Sequence, residues 1–299
     1  MKIMRIRSAA VLAAIVSAVP CHCRADTYSA VPIADTFVAT GTSGNNLSGD
    51  NFGAAGSLTV EAGNLAQGEF QTVIKFDLSG AQAYFNTEYG AGAWMVQAVS
   101  LVLTSSAHGN SIFNPPAAGE FGVSWMQNNS WVEGTGTSGD PTTNGISYNS
   151  LQSIYINNAA DQALGAFFFV GGTSGTASYG LGLTSGVVGD LAAGNEMSLR
   201  LFPADTNVSY LFNSSRASSD APELLITAEP ELRVALAGDS LALYWMTNQG
   251  SALVLQQNSD LATTNWTTTP TNSMIVTNGQ YQILISPTNL QQFFRLATP

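Results

Sequence analysis

Cysteine, histidine and basic side chains are all scarce in this chain. Its 299 residues hold two cysteines, Cys21 and Cys23, and two histidines, His22 and His108. Three of these four fall within the first 25 residues, which read as a secretory leader. Met1-Lys2-Ile3-Met4-Arg5-Ile6-Arg7 is basic, Ala9 to Pro20 is apolar, and Cys23-Arg24-Ala25 puts small residues at the cleavage positions. The apolar run is too short to span a bilayer, and no second long one follows. A lipoprotein leader is the rival reading. Cys21 follows Val19-Pro20 and Cys23 follows Pro20-Cys21-His22, whereas a lipobox requires small residues before its cysteine. Cleavage after Ala25 leaves no cysteine, hence no disulfide, thiol nucleophile or thiolate metal site. It also leaves one histidine, His108, within the turn-like Ser105-Ser106-Ala107-His108-Gly109-Asn110. Ser-His-Asp catalysis would need His108 as its base, and multi-histidine metal sites are excluded.

The leader also removes Lys2, Arg5, Arg7 and Arg24, leaving Lys75, Arg200, Arg216, Arg233 and Arg295 against twenty acidic residues, a formal net charge of −15. Such a surface repels nucleic acid and anionic membranes and suits divalent cations and neutral glycans. Charged residues make up only 10% of the chain while glycine occurs 29 times, a balance expected of an extracellular all-β protein rather than a helical one.

What is present is a series of short alternating segments. Ser57 to Ala62, Thr72 to Leu78, Trp94 to Thr104, Phe121 to Trp125, Ala166 to Val170, Ser178 to Leu183, Glu196 to Phe202, Val208 to Phe212 and Glu223 to Ala228 all read as strands, after an opening strand at Val31 to Val38. Thr40 to Gly56 reads as a polar loop, Ala81 to Glu88 as a short helix, and Gly186 to Gly194 as a short helix or turn. The expected fold is all-β: a jelly-roll-like antiparallel β-sandwich over 26–228, a linker at 229–231, and a small second β-sandwich over 232–299. The second region is near the minimum size for folding alone.

The most distinctive text is Ser124 to Leu151. Trp125 and Trp131 open it, a Gly/Ser/Thr/Asn loop follows, and a strand-like Gly145-Ile146-Ser147-Tyr148 closes it. A neutral sugar is held by stacking on an aromatic ring, with amides and acids taking its hydroxyls. Trp125, Asn128, Asn129 and Glu133 are the candidate set; a tryptophan at the end of an alternating strand is more often core, and Trp131 more so than Trp125. Asp35, Asp50 and Asn51 are oxygen donors for a structural calcium, against the plainer reading as loop acids and turn formers. Glu133 with Asp140 forms at most a weak paired-carboxylate signal, and Gly134 to Gly139 lacks the lysine and helix of a phosphate loop.

Four segments in order carry a family resemblance: Ala34-Asp35-Thr36-Phe37-Val38; Ile74-Lys75-Phe76-Asp77-Leu78-Ser79; Trp131-Val132-Glu133-Gly134-Thr135-Gly136 with Gly145 to Tyr148; and Ser214-Ser215-Arg216 through Ala221-Pro222-Glu223-Leu224-Leu225-Ile226. Together they resemble the DNRLRE-type secreted β-sandwich family, related to a group of carbohydrate-binding modules. Gln71-Thr72 and Ala221 depart from that pattern, where arginine is usual. The resemblance implies a jelly-roll-like sandwich and, for some members, glycan binding. Leu232 to Leu296 resembles a C-terminal β module of large secreted bacterial proteins, which implies surface attachment, sorting or spacing. The expectation is therefore a secreted, extracellular protein, at the cell surface or in the periplasm. It is expected to be no enzyme, to bind carbohydrate or another surface polymer, not to bind nucleic acid and not to insert into a membrane. The alternatives are a structural or adhesive surface protein without a small-molecule site and, more distantly, a polysaccharide-degrading enzyme.

Overall fold

The computed structural model describes residues 25–107, 112–217, 219–238, 240–247, 253–260, 262–270, 274–277, 279–286 and 292–297. The expected leader up to Arg24, and His108, lie outside them. Two compact units emerge, 25–229 and 230–299 within the described residues, and each is an antiparallel β-sandwich. Among the described residues, no helix is long and apolar enough to cross a membrane.

The larger unit begins with β1 (Asp26–Ala30), β2 (Pro32–Ala39), a small hairpin of β3 (Gly41–Thr42) and β4 (Asn45–Asn46), then β5 (Ser57–Glu61), β6 (Phe70–Asp77) and helix α1 (Ser79–Tyr89). It continues with β7 (Trp94–Thr104), β8 (Gly119–Met126), a helical turn α2 (Tyr148–Ser150) running into a π-turn (Leu151–Tyr155), β9 (Gln162–Phe169), β10 (Thr176–Leu181), α3 (Ser185–Ala193), β11 (Glu196–Pro203), β12 (Ser209–Asn213) and β13 (Glu223–Pro230). One sheet has the order β1-β13-β7-β10; the other runs β12-β5-β6-β11-β8-β9, with β2 also paired to β6. Glu229 and Pro230, expected in a linker, are the last residues of β13.

The main core lies between the two sheets. Leu101, Leu103, Tyr179, Leu224 and Ile226 from the first meet Ile74, Phe76, Phe121, Val123, Leu199 and Leu201 from the second. The period of two is clearest in β13, where Leu224, Ile226 and Ala228 are buried and their neighbours are not. Rings reinforce the middle: Phe121 meets Tyr179 edge-on with centroids 5.1 Å apart, and Phe169 stacks on Tyr210 at 3.9 Å. Helix α1 closes one margin with Ala81, Phe85 and Tyr89, spaced four apart on one face. Tyr89 accepts from the Asp26 backbone N–H at 2.9 Å and donates to the Ala228 carbonyl at 3.1 Å, joining α1 to β1 and β13.

Strands β5 and β6 are buried on nearly every residue. The cause is a second covering layer. Val73 and Met126, one residue out of phase with the core residues Ile74 and Trp125, pack against Trp131, Ile146 and Leu151. The 127–156 stretch thus folds back over the outer face of the larger sheet. Within the Thr40 to Gly56 segment, expected to be a polar loop, Leu47 and Phe52 are buried against Phe37, Phe70 and Phe113.

The smaller unit has β14 (Arg233–Ala237), β15 (Ser240–Met246), β16 (Val254–Asn258), β17 (Thr267–Thr268), β18 (Ile275–Thr277), β19 (Gln280–Ile285) and β20 (Phe293–Ala297). Sheets β14-β15-β19-β18 and β17-β16-β20 enclose Leu243, Trp245, Leu255, Ile283 and Leu296.

Candidate functional site

The covering stretch is held by polar bonds as well as by packing. Trp131 is 2% exposed and donates its indole N–H to Ser198 Oγ at 2.8 Å. Lys75 Nζ lies 4.8 Å from the Trp131 ring centroid and donates to the Asn129 carbonyl at 2.6 Å and the Trp131 carbonyl at 3.1 Å. The expected strand at Gly145 to Tyr148 is not one. Ile146 donates its backbone N–H to the Val132 carbonyl at 2.8 Å, and Ser147 instead caps a helical turn, its Oγ accepting from the Ser150 N–H. A reciprocal Ser-x-x-Ser cap satisfies the orphan amides that a ladder would otherwise take.

Asn51 ties this stretch to the N-terminal loop and is fully buried. Its Nδ2 donates to the carbonyls of Glu133 at 2.6 Å and Ile146 at 2.9 Å, while its Oδ1 accepts from the N–H groups of Gly53 and Gly136, each at 3.2 Å. All four bonds an amide can make are made. Gly134, at φ +79, passes so close that a Cβ there would sit 2.1 Å from Asn51 Oδ1. Glycine in the Glu133-Gly134-Thr135-Gly136 text therefore reflects packing against an amide.

Next to Asn51 the structure assembles an acid–arginine cluster. Asp35 is 1% exposed; its Oδ2 accepts from the Ser215 N–H at 2.6 Å, and its Oδ1 has no partner among the described residues. Burial pushes its carboxyl up to about 6, against the lowering effect of the Ser215 hydrogen bonds; the charge of Glu133 adds to the rise and Arg216 opposes it. Glu133 accepts from the Asp35 N–H at 3.3 Å and from Arg216 Nη2 at 2.7 Å, and Arg216 Nε also donates to the Gly53 carbonyl at 2.9 Å. The Arg216 side chain is 45% exposed, which limits that ion pair to about 1 kcal/mol or less. By sequence, Asp35 and Asn51 belong to one candidate set, Glu133 to another and Arg216 to neither. The fold brings all four together.

Of the expected calcium donors, Asn51 is fully engaged within the protein and Asp35 partly so. Calcium takes six to eight oxygens. Asn51 has no lone pair to give, Asp35 keeps one oxygen, and Asp50 is a half-buried loop residue whose N–H donates to the Leu47 carbonyl. Among the described residues, no group of three or more histidine, cysteine or acidic side chains is placed to hold a metal ion.

The expected sugar platform is also built inward. Trp125 is 9% exposed and donates Nε1–H to Asp190 Oδ2 at 2.7 Å. Gly186 of α3 covers its ring, so that a Cβ at Gly186 would lie 2.5 Å from the indole. Asn128 Oδ1 accepts from the Ser130 N–H and hydroxyl, and Asn129 Nδ2 donates to the Glu196 carbonyl at 2.7 Å. The four residues Trp125, Asn128, Asn129 and Glu133 thus bond within the protein and offer no open stacking face. Asp140 closes a local turn, bonded to Thr137 at both N–H and carbonyl. The signal that could have separated these roles was the Gly186 and Asp190 pair, one turn apart on a helix opposite Trp125.

The open polar surface lies elsewhere. In the smaller unit, the loop after β16 forms a groove of about 420 Å³ lined by Gln257, Asn258, Asp260, Asn265, Thr267 and Gln292, among others. Asn258 shapes its floor: Nδ2 donates to the Thr263 carbonyl at 3.2 Å and Oδ1 accepts from the Asp260 N–H at 3.0 Å. Gln292 donates to Gln257 Oε1 at 2.9 Å across the groove. Asn265-Trp266-Thr267 supplies two of these lining residues and is outside the candidate sets read from the sequence. Its polar, turn-forming composition was the available signal. Comparison with known proteins adds nothing to this geometry: no protein-family model matches the chain, and no match was found among curated proteins.

Proposed function

We propose that this is an exported, non-catalytic protein that binds carbohydrate or another hydroxyl-rich surface polymer through the open groove of its smaller unit. The observation that carries the reading is the groove's lining of amides, hydroxyls and one carboxylate, which matches the alternating donors and acceptors of a neutral polyol. The leader-like N-terminus and the acidic composition support export and a neutral rather than anionic polymer. The non-catalytic part is supported by Glu133, whose two oxygens are engaged by Arg216 and the Asp35 N–H. The test is a glycan array followed by calorimetry on the chain from Asp26. A neutral glycan is expected to bind, and the double variant Asn265→Ala/Gln292→Ala to weaken it about 10-fold or more, at about 1 kcal/mol per hydrogen bond. Absence of binding to every glycan, or binding untouched by the double variant, overturns the assignment. A structural or adhesive role without a small-molecule site is the second reading, favoured by the inward-bonded Trp125 and Asn51; it gains if the array is blank.

A further inference from the structure

The sandwich of the smaller unit is not filled. Between its sheets lies a semi-enclosed cavity of about 110 Å³, bounded by Trp245, Tyr281 and Ile283 on one side and by Leu253, Leu255 and Thr269 on the other. Its walls are mostly apolar, yet two polar atoms on residues that line it are unpaired. Trp245 Nε1 and Thr269 Oγ1 are shut from solvent and have no hydrogen-bond partner among the described residues. Trp245 is 4% exposed and Thr269 is 3% exposed. Buried indole N–H groups and hydroxyls normally find partners, and leaving them without costs free energy.

Two occupants would supply a partner: water, or a small organic molecule. A buried water makes about three hydrogen bonds, and the two unpaired polar atoms of this mostly apolar wall are too few for the several waters that this volume would admit. Apolar cavities of roughly this size stay dry and accept a single aromatic ring, as in an engineered cavity of about 150 Å³ that takes benzene. The tilted Trp245–Tyr281 pair, with centroids 5.5 Å apart, presents aromatic surface at one wall.

We propose that this cavity binds a small, mostly apolar molecule, about one ring in size, that carries a single hydroxyl or carbonyl oxygen. The Trp245 indole N–H donates to that oxygen, the Thr269 hydroxyl completes its hydrogen bonding, and the aliphatic lining covers the rest. The site is separate from the polymer groove. The two have no lining residue in common. The proposal stands or falls independently of polymer binding.

Phenol and benzene are the probes, titrated into the chain from Asp26 while the Trp245 indole N–H resonance is followed by NMR and assigned with Trp245→Phe. Phenol is expected to move that resonance saturably and to bind about 10-fold more tightly than benzene, the worth of one good hydrogen bond. Trp245→Phe is expected to bring phenol down to the affinity of benzene. If Trp245→Phe melts early, Thr269→Val, which keeps the shape and removes the hydroxyl, is expected to weaken phenol and spare benzene. No saturable shift with either probe overturns the proposal. So does phenol binding that is indifferent to both variants, or a strong exchange signal between the Trp245 indole proton and water that phenol does not displace.

Discussion

Asp35 is a buried carboxylate with one oxygen on the Ser215 N–H and the other without a partner among the described residues. Burial raises its pKa from 3.8 to about 6. In the unfolded chain it titrates at the ordinary value, so between pH 4 and 6 the folded state holds more protons than the unfolded one. Stability then falls as pH rises through this window. The shift corresponds to about 3 kcal/mol, present in full as a penalty above pH 6 and absent below pH 4. Asp35→Asn removes the titration while keeping an acceptor for Ser215. The wild-type stability minus that of Asp35→Asn is therefore expected to drop by about 3 kcal/mol from pH 4 to pH 7. Glu61, whose carboxyl is also raised by burial, acts in the same direction but is present in both proteins and cancels. Because the chain has two units, hydrogen exchange of the β6 amides is the suitable readout, since it follows the unit that contains Asp35. A difference that does not change with pH, or that grows as pH rises, would refute the assignment of burial as the dominant cause.

Three further outcomes follow from the packing. Gly186→Ala forces a methyl group into the Trp125 ring and is expected to cost about 1–3 kcal/mol in thermal or denaturant unfolding; a neutral result would mean that the ring is not seated there. Asn51→Ala strands two carbonyls and two backbone N–H groups and is expected to cost about 3 kcal/mol or more, with loss of exchange protection at Gly53 and Gly136. Addition of a calcium chelator is expected to leave the melting temperature of the larger unit unchanged, because Asn51 has no free lone pair; a drop of several degrees would contradict that reading.

The strands were legible because most of them alternate against a one-sided core. Glu223 to Ala228 shows this directly: Leu224, Ile226 and Ala228 point inward, and both the text and the fold say so. The Ser124 to Leu151 stretch was harder. Its aromatics and amides suit a binding loop as well as they suit a lid over a sheet, and composition alone does not separate these. Ile146 and Ser147 have strand-like neighbours, but a capping bond formed by Ser147 and Ser150 turns the chain into a helical turn. Asn51 looks like any loop amide until its four partners, drawn from residues 53, 133, 136 and 146, are in place.

Local chemistry therefore determined the class of fold, the two regions, the acidic surface and the positions of nearly every strand, because period, turn residues and charge act over a few neighbours. Tertiary structure alone decided which residues face solvent. Trp125 became core because Gly186 and Asp190 arrive from a helix some sixty residues away. Asp35, Glu133 and Arg216 became one cluster because three distant segments converge. The open groove and the unfilled cavity exist only as gaps between sheets and loops of the smaller unit, and a gap has no residue of its own in the sequence.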